Sequence, residues 1–195
     1  MIHYNLEQGS PEWLALRLGK PTASHMADIM GKGETRAKYM RKLAAEAISG
    51  QVEETYTNAH MARGNEQEPI ARAAYEARYG VEVVPVAFVD CGTWGASPDG
   101  IVGNDGGIEI KSRIGSVQVE TIESGKVPSA NMPQINACML ALDREWWDYV
   151  SYSTGLPLFV KRCHRSKEAD SAIIEALARF NAELEELIAK VRKYA

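Results

Sequence analysis

Apolar residues recur at helical spacing in both flanks of the chain, while the middle switches to short β-branched runs. Residues 22–31 (TASHMADIMG) predict a short helix, capped by Thr or Ser and stopped by glycine. Residues 35–49 predict a second helix, with Leu43, Ala47 and Ile48 on one side. Residues 58–79 begin at Asn58, a suitable N-cap, and end before Gly80, a suitable stop. Gly64 and Pro69 divide this stretch into two helical pieces with a bend, because proline lacks an amide donor and clashes with the preceding turn.

After Gly80 the texture changes. VEVVPVAFVD, residues 81–90, reads as a strand, and GTWGASPDGIVGNDGGIEIKS as short strands around a turn. Asn104-Asp105-Gly106-Gly107 is the hairpin signal, since these residues tolerate positive φ. Helices are expected over 115–124 and 130–142, then a second hairpin in EWWDYVSYSTGLPLFVKRCH, turning at Thr154-Gly155. A long amphipathic helix closes the pattern over 167–193, with Ile173, Ile174, Leu177, Phe180, Leu184, Leu187, Ile188 and Val191 at helical spacing. Helices, then a mainly antiparallel or mixed sheet, then helices predict an α/β architecture with a central sheet flanked by helices. No repeat or long Ser/Gly/Pro linker interrupts the chain, so residues 1–195 read as a single domain.

Composition narrows the class. With 45% hydrophobic and 25% charged residues, the 195-residue chain is neither disordered nor fibrous. No apolar run approaches a membrane span, and the N-terminus lacks the basic and apolar regions of a signal peptide. Cys91, Cys138 and Cys163 are few and scattered, which argues against a disulfide framework or a four-thiolate cluster and for a reducing cytoplasm. The net charge of −4 hides an uneven distribution: residues 64–160 hold 6 Lys/Arg against 13 Asp/Glu, while residues 1–63 hold 8 against 7 and residues 161–195 hold 8 against 6. The acidic centre fits either a solvated face or a carboxylate cluster that binds cations.

The chemistry concentrates in Ser97-Pro98-Asp99-Gly100 and Gly107-Ile108-Glu109-Ile110-Lys111. If 100–103 and 107–111 pair as a hairpin, Asp99 approaches Glu109 and Lys111, and those two, being two residues apart, share a face. Two carboxylates and a backbone carbonyl such as that of Ile110 are the hard oxygen ligands that Mg²⁺ or Mn²⁺ prefers. Such a metal polarises a phosphodiester and acidifies its bound water. An adjacent lysine orients or deprotonates the attacking water and stabilises anionic oxygen; desolvation and the metal are expected to lower its pKa, as a base needs. An ordinary exposed hairpin carrying a Glu/Lys pair accounts for the same spacing. Alternation of the charges with Ile108 and Ile110 favours the site.

These residues resemble a known signature. Pro98-Asp99 followed by Glu109-Ile110-Lys111 is similar to the PD-(D/E)xK motif of nucleases. EWLALRLGKPTAS (12–24), Gly64-Asn65-Glu66-Gln67-Glu68, Ser97-Pro98-Asp99-Gly100 and Met132-Pro133-Gln134 resemble, in order, blocks of the phage lambda exonuclease and YqaJ-type viral recombinase family. Each block is common alone, and the set is specific. It covers residues 12 to about 142.

The resemblance implies a restriction-endonuclease-like core. It implies that Asp99, Glu109 and the Ile110 carbonyl ligate metal, that Lys111 is the catalytic lysine and that Gln134 sits near the nucleophilic water. Glu68, which alone would read as an exposed residue near a helix start, would serve a second Mg²⁺ or its waters, with Mn²⁺ as a substitute. Arg17 and Ser24 would hold the 5′-phosphate of the digested strand, although Arg17 also fits a plain surface position. Met61 would be an apolar wedge at the duplex end, or a core residue. His60 and the Gly31-Lys32-Gly33 turn have weaker claims on DNA, and Trp146-Trp147 belong to the core or a subunit interface.

The activity implied is Mg²⁺-dependent 5′→3′ digestion of one strand of linear duplex DNA, leaving a 3′ overhang for a single-strand annealing protein. A ring-shaped homotrimer and a phage or prophage protein in a bacterial cytoplasm are implied with it. A structure- or sequence-selective endonuclease, or a non-catalytic DNA-binding homologue, would share the fold.

Overall fold

The computed structural model describes residues 2–4, 6–53 and 59–194, without the side chains of residues 2–4, 59–62 and 65. The chain enters through β1 (Ile2–Tyr4), α1 (Pro11–Arg17), a 3-10 turn (Ala23–His25), α2 (Met26–Met30), α3 (Glu34–Ser49) and α4 (Ala59–Tyr79). Seven strands follow or flank the remaining helices: β2 (Val83–Val84), β3 (Phe88–Asp90), β4 (Gly95–Ala96), β5 (Gly100–Val102), β6 (Gly106–Ser112), then α5 (Gly115–Ser124), α6 (Met132–Leu142), β7 (Trp146–Tyr152) with β8 (Phe159–His164), and α7 (Lys167–Arg192).

A five-stranded sheet has the order β2-β5-β6-β7-β8, and a three-stranded sheet has the order β1-β3-β4. Among the strands of the described residues only β6 and β7 pair in parallel; the other strand pairs are antiparallel. A parallel pair needs a crossover, and α5 and α6 supply it. The mixed sheet flanked by helices is the α/β architecture the pattern predicts.

The elements differ from the sequence reading in several places. The run 81–90 is not one strand: β2 pairs with β5 in the large sheet and β3 with β1 and β4 in the small one. Pro85 lies between them, and a residue without an amide hydrogen cannot continue a ladder. Residues 59–79 form one uninterrupted helix with Pro69 inside it, because burial of Ala71 and Tyr75 on the sheet outweighs the missing hydrogen bond. The expected Asn58 cap lies outside the described residues. Residues 22–31 divide into the 3-10 turn and α2. The first hairpin turns over Gly103-Asn104-Asp105, one residue early, and the positive φ (+55°) falls on Gly103. Strand β1 had no sequence signal.

Two apolar clusters sandwich the large sheet. Ile108, Ile110, Val150, Val83 and Val102 pack against Ala71 and Tyr75 of α4. On the other side Trp147 and Tyr149 join Ile135 and Met139 of α6 and Ile173, Leu177, Phe180 and Leu184 of α7. Trp147 is fully buried and lies over Gly107, its parallel partner, where an added Cβ would come within 2.2 Å of the indole. Trp146 stacks instead against Arg162, 3.5 Å from guanidinium to ring centroid. The three cysteines are free thiols.

Candidate active site

Alternation along β6 sets the direction of its charged residues. Ile108 and Ile110 face α4, so Glu109 and Lys111 point the other way, toward α6. Glu109 is 1% exposed, and its Oε1 lies 2.6 Å from Lys111 Nζ. Lys111 also donates to Gln134 Oε1, 3.2 Å away in the first turn of α6. Asp99 sits just before β5, and its Oδ2 accepts from the Ile110 backbone N–H at 2.6 Å. The hairpin register Gly100↔Ile108 creates this approach. Asp99, Glu109, Ile110 and Lys111 therefore form one group, the approach expected of the hairpin, and Gln134, named only through the resemblance, joins it from α6.

Glu68 reaches the same edge from α4. It accepts from Arg72 one turn later, and the same guanidinium donates to the Asp99 carbonyl at 3.1 Å. Arg72 has no counterpart in the sequence reading. Its i,i+4 spacing from Glu68 was a visible but nonspecific signal.

The electrostatics reflect crowded carboxylates. Burial, then the charges of Glu109 and Glu68, hold the Asp99 carboxyl well above its ordinary range despite Lys111 and the Ile110 N–H. Burial also raises Glu68, with Arg72 opposing it. Without metal, the pKa of Lys111 moves in the direction opposite to the lowering expected from desolvation beside a bound metal. Burial does disfavour its charge, but the charges of Glu109 and Asp99 and the Glu109 hydrogen bond together outweigh burial and raise it. In this metal-free arrangement the lysine donates hydrogen bonds to Glu109 and Gln134.

The donor set suits a divalent cation. Glu109 Oε2 is buried and has no hydrogen-bond partner, a costly state for a carboxylate oxygen unless a cation or water satisfies it. Asp99 offers a second carboxylate beside the Ile110 main chain. Among the described residues no three His, Cys, Asp or Glu side chains form a metal cage by themselves, so a main-chain carbonyl would have to complete the set.

A second cluster adjoins the first. Arg17, at the end of α1, stacks 4.0 Å over the Trp13 ring and donates to Ser97 Oγ at 2.9 Å. Trp13 is anchored by its indole N–H to the Ala87 carbonyl at 2.9 Å. Burial depresses the Arg17 pKa, with Tyr39 and Glu46 opposing. Arg17 lines a cavity of about 540 Å³ with Trp13, Lys20, His25, Tyr39, Lys42 and Glu46. Ser24 is exposed and linked to this cavity by Thr22, whose Oγ1 lies 3.1 Å from Ser24 Oγ. Ser97 was part of the quoted motif but not among the site residues named from sequence. Its position two residues before Asp99, with Arg17 bonded to it, makes it the link between the two clusters. The Met61 and His60 side chains lie outside the described residues.

The five-stranded mixed sheet flanked by helices, with its acidic edge, is the architecture of exonucleases with the restriction-endonuclease-like fold. A YqaJ-like viral recombinase domain matches residues 12–145, and the chain belongs to that family. Among solved structures it is similar to an alkaline exonuclease, LHK-Exo, from Laribacter hongkongensis, at 39% identity and a TM-score of 0.83, covering 95% of this chain and 100% of that one. LHK-Exo in complex with dAMP matches at 38% identity and a TM-score of 0.90, over 95% of this chain and 97% of that one. A phage-related exonuclease from Haemophilus somnus shares the fold at 15% identity and a TM-score of 0.73, over 91% and 99% of the two chains. No curated protein gives a significant match. Among the described residues no helix is long and apolar enough to cross a membrane.

Proposed function

We propose that the protein is a Mg²⁺-dependent exonuclease that degrades one strand of linear duplex DNA from its 5′ end and leaves a 3′ single-stranded overhang. The observation that carries this reading is the contact of Arg17 with Ser97, two residues from Asp99. It joins a cationic cavity fit for a terminal phosphate to a carboxylate edge fit for phosphodiester hydrolysis. Homology to an alkaline exonuclease supports the nuclease class.

Asp99, Glu109 and the Ile110 carbonyl would hold Mg²⁺, or Mn²⁺ in its place, with Glu68 toward a second ion. When bound, the metal supplies Lewis-acid polarisation of the phosphodiester and an acidified water. Lys111 orients the attacking water and donates to anionic phosphate oxygen, stabilising charge that grows in the transition state. Gln134 fixes the Lys111 ammonium and offers its amide to the attacking water. Arg17, stacked on Trp13, presents a planar fork to the 5′-phosphate, with the Ser97 and Ser24 hydroxyls beside it. Met61 would wedge the terminal base pair, since an apolar side chain replaces lost stacking. A homotrimeric ring around the duplex would keep the enzyme on its track, and the overhang would pass to a single-strand annealing protein in phage-type recombination.

The test uses purified protein with Mg²⁺ and three DNAs: linear duplex with 5′-phosphate, the same duplex with 5′-hydroxyl, and a covalently closed circle, each with an EDTA control. The reading predicts loss of the 5′-phosphorylated strand first, with the circle intact. Nicking of the circle would identify an endonuclease. Absence of metal-dependent cleavage would identify a DNA-binding homologue.

A further inference from the structure

The Arg17 cavity contains a histidine for which the proposed reaction has no role so far. His25 follows Ser24 directly and lines the cavity with Arg17 and Tyr39. Its ring lies flat on Tyr39, with centroids 4.0 Å apart and planes 16° from parallel. Its Nδ1 lies 2.9 Å from Asp28 Oδ2. Tyr39 is itself held: its hydroxyl accepts from the Thr22 N–H at 3.1 Å, and Thr22 in turn touches Ser24. Stacking and the Asp28 bond thus fix the imidazole plane and commit Nδ1. The other ring nitrogen, Nε2, has no hydrogen-bond partner among the described residues.

We propose that His25, oriented by Asp28 and Tyr39, is a specificity residue that donates from Nε2 to the 5′-terminal phosphate alongside Arg17. The proposal rests on the 5′-phosphate reading of this cavity. An imidazole that donates from both nitrogens is an imidazolium. Here Asp28 lies at one edge of the ring, and the phosphate dianion would lie at the other. The charged groups around the ring are Arg17 from α1, Lys20 from the loop after it, Asp28 from α2, and Lys42 and Glu46 from α3, with the Tyr39 hydroxyl beneath. Histidine supplies a cationic donor that this edge of the cavity otherwise lacks.

The experiment measures initial digestion rates of one blunt duplex bearing 5′-phosphate or 5′-hydroxyl at pH 7. The full-length wild-type protein prefers the 5′-phosphate. His25→Ala lowers the phosphate-to-hydroxyl rate ratio about tenfold, the value of one charge-assisted hydrogen bond. His25→Gln keeps a donor, so it restores a ratio above that of His25→Ala. A purely structural role for the ring would lower both rates together and leave the ratio unchanged. Arg17→Ala separates the two levels of inference. If wild type shows no preference, or Arg17→Ala keeps it, the cavity is not the 5′-phosphate site. If Arg17→Ala loses the preference while His25→Ala keeps the ratio, the cavity reading stands and the role of His25 is overturned.

Discussion

Replacement of Lys111 by methionine separates catalysis from stability. The substitution keeps most of the apolar stem and removes the ammonium. In the native structure that ammonium lies 2.6 Å from Glu109 Oε1, while Glu109 is 1% exposed and its second oxygen has no partner. Breaking a buried pair by removing one partner costs about 3–5 kcal/mol, because a charge is left uncompensated. The lower end applies here, since Lys111 is 28% exposed and water can follow its loss. A cost of about 3 kcal/mol lowers the melting temperature of a chain this size by roughly 6–12 °C. Thermal unfolding at pH 8 with EDTA reads that shift. The double variant Lys111→Met with Glu109→Gln removes the orphaned charge, so it recovers most of the stability. Both variants lose metal-dependent cleavage. If Lys111→Met melts within 2 °C of wild type, the ion pair contributes little and the reasoning fails. If it digests DNA at the wild-type rate, Lys111 has no role in the reaction.

Other consequences are equally direct. Gly107→Ala places a methyl group about 2.2 Å from the buried Trp147 ring. Overpacking of this kind costs about 1–3 kcal/mol, and because β6 carries Glu109 and Lys111, nuclease activity falls along with the melting temperature; unchanged values of both would show that the strand yields freely. Without metal, Asp99 and Glu68 bind protons more readily in the folded state than unfolded. Stability in EDTA therefore falls as pH rises above the ordinary carboxylate range, up to their raised folded values. Asp99→Asn flattens that decline, and an undiminished slope would refute the assignment. Phe180→Ala, at the fully buried centre of α7, costs about 3–5 kcal/mol without altering the 5′-phosphate preference of the protein that remains folded at low temperature.

Much of the site was legible in the linear order of residues. Asp99, Glu109 and Lys111 converge because hairpin pairing and two-residue alternation are local rules. The pairing of Glu109 with Lys111 along one face follows from the strand period alone. The helices over 35–49 and 115–124 were readable for the same reason: their apolar spacing and stops lie within a few turns. The closing helix, Lys167–Arg192, was readable too.

Long-range packing decided the rest. The split of 81–90 depends on two sheets competing for one apolar run, with Pro85 as the break. The continuity of Ala59–Tyr79 through Pro69 depends on a sheet face that the helix cannot anticipate. Ser97 and Arg17 are 80 residues apart, and Gln134 meets Lys111 across 23 residues, separations at which sequence carries no distance information. The charge state of Lys111 shows the same limit. Burial alone argues for a lowered pKa, and only the placement of Glu109 and Asp99 around the ammonium reverses the sign. The sequence by itself determined which residues could do the chemistry, because residue type and short-range period are written in it. The tertiary structure decided which of them touch and in what charge state, because those depend on groups brought together from distant parts of the chain.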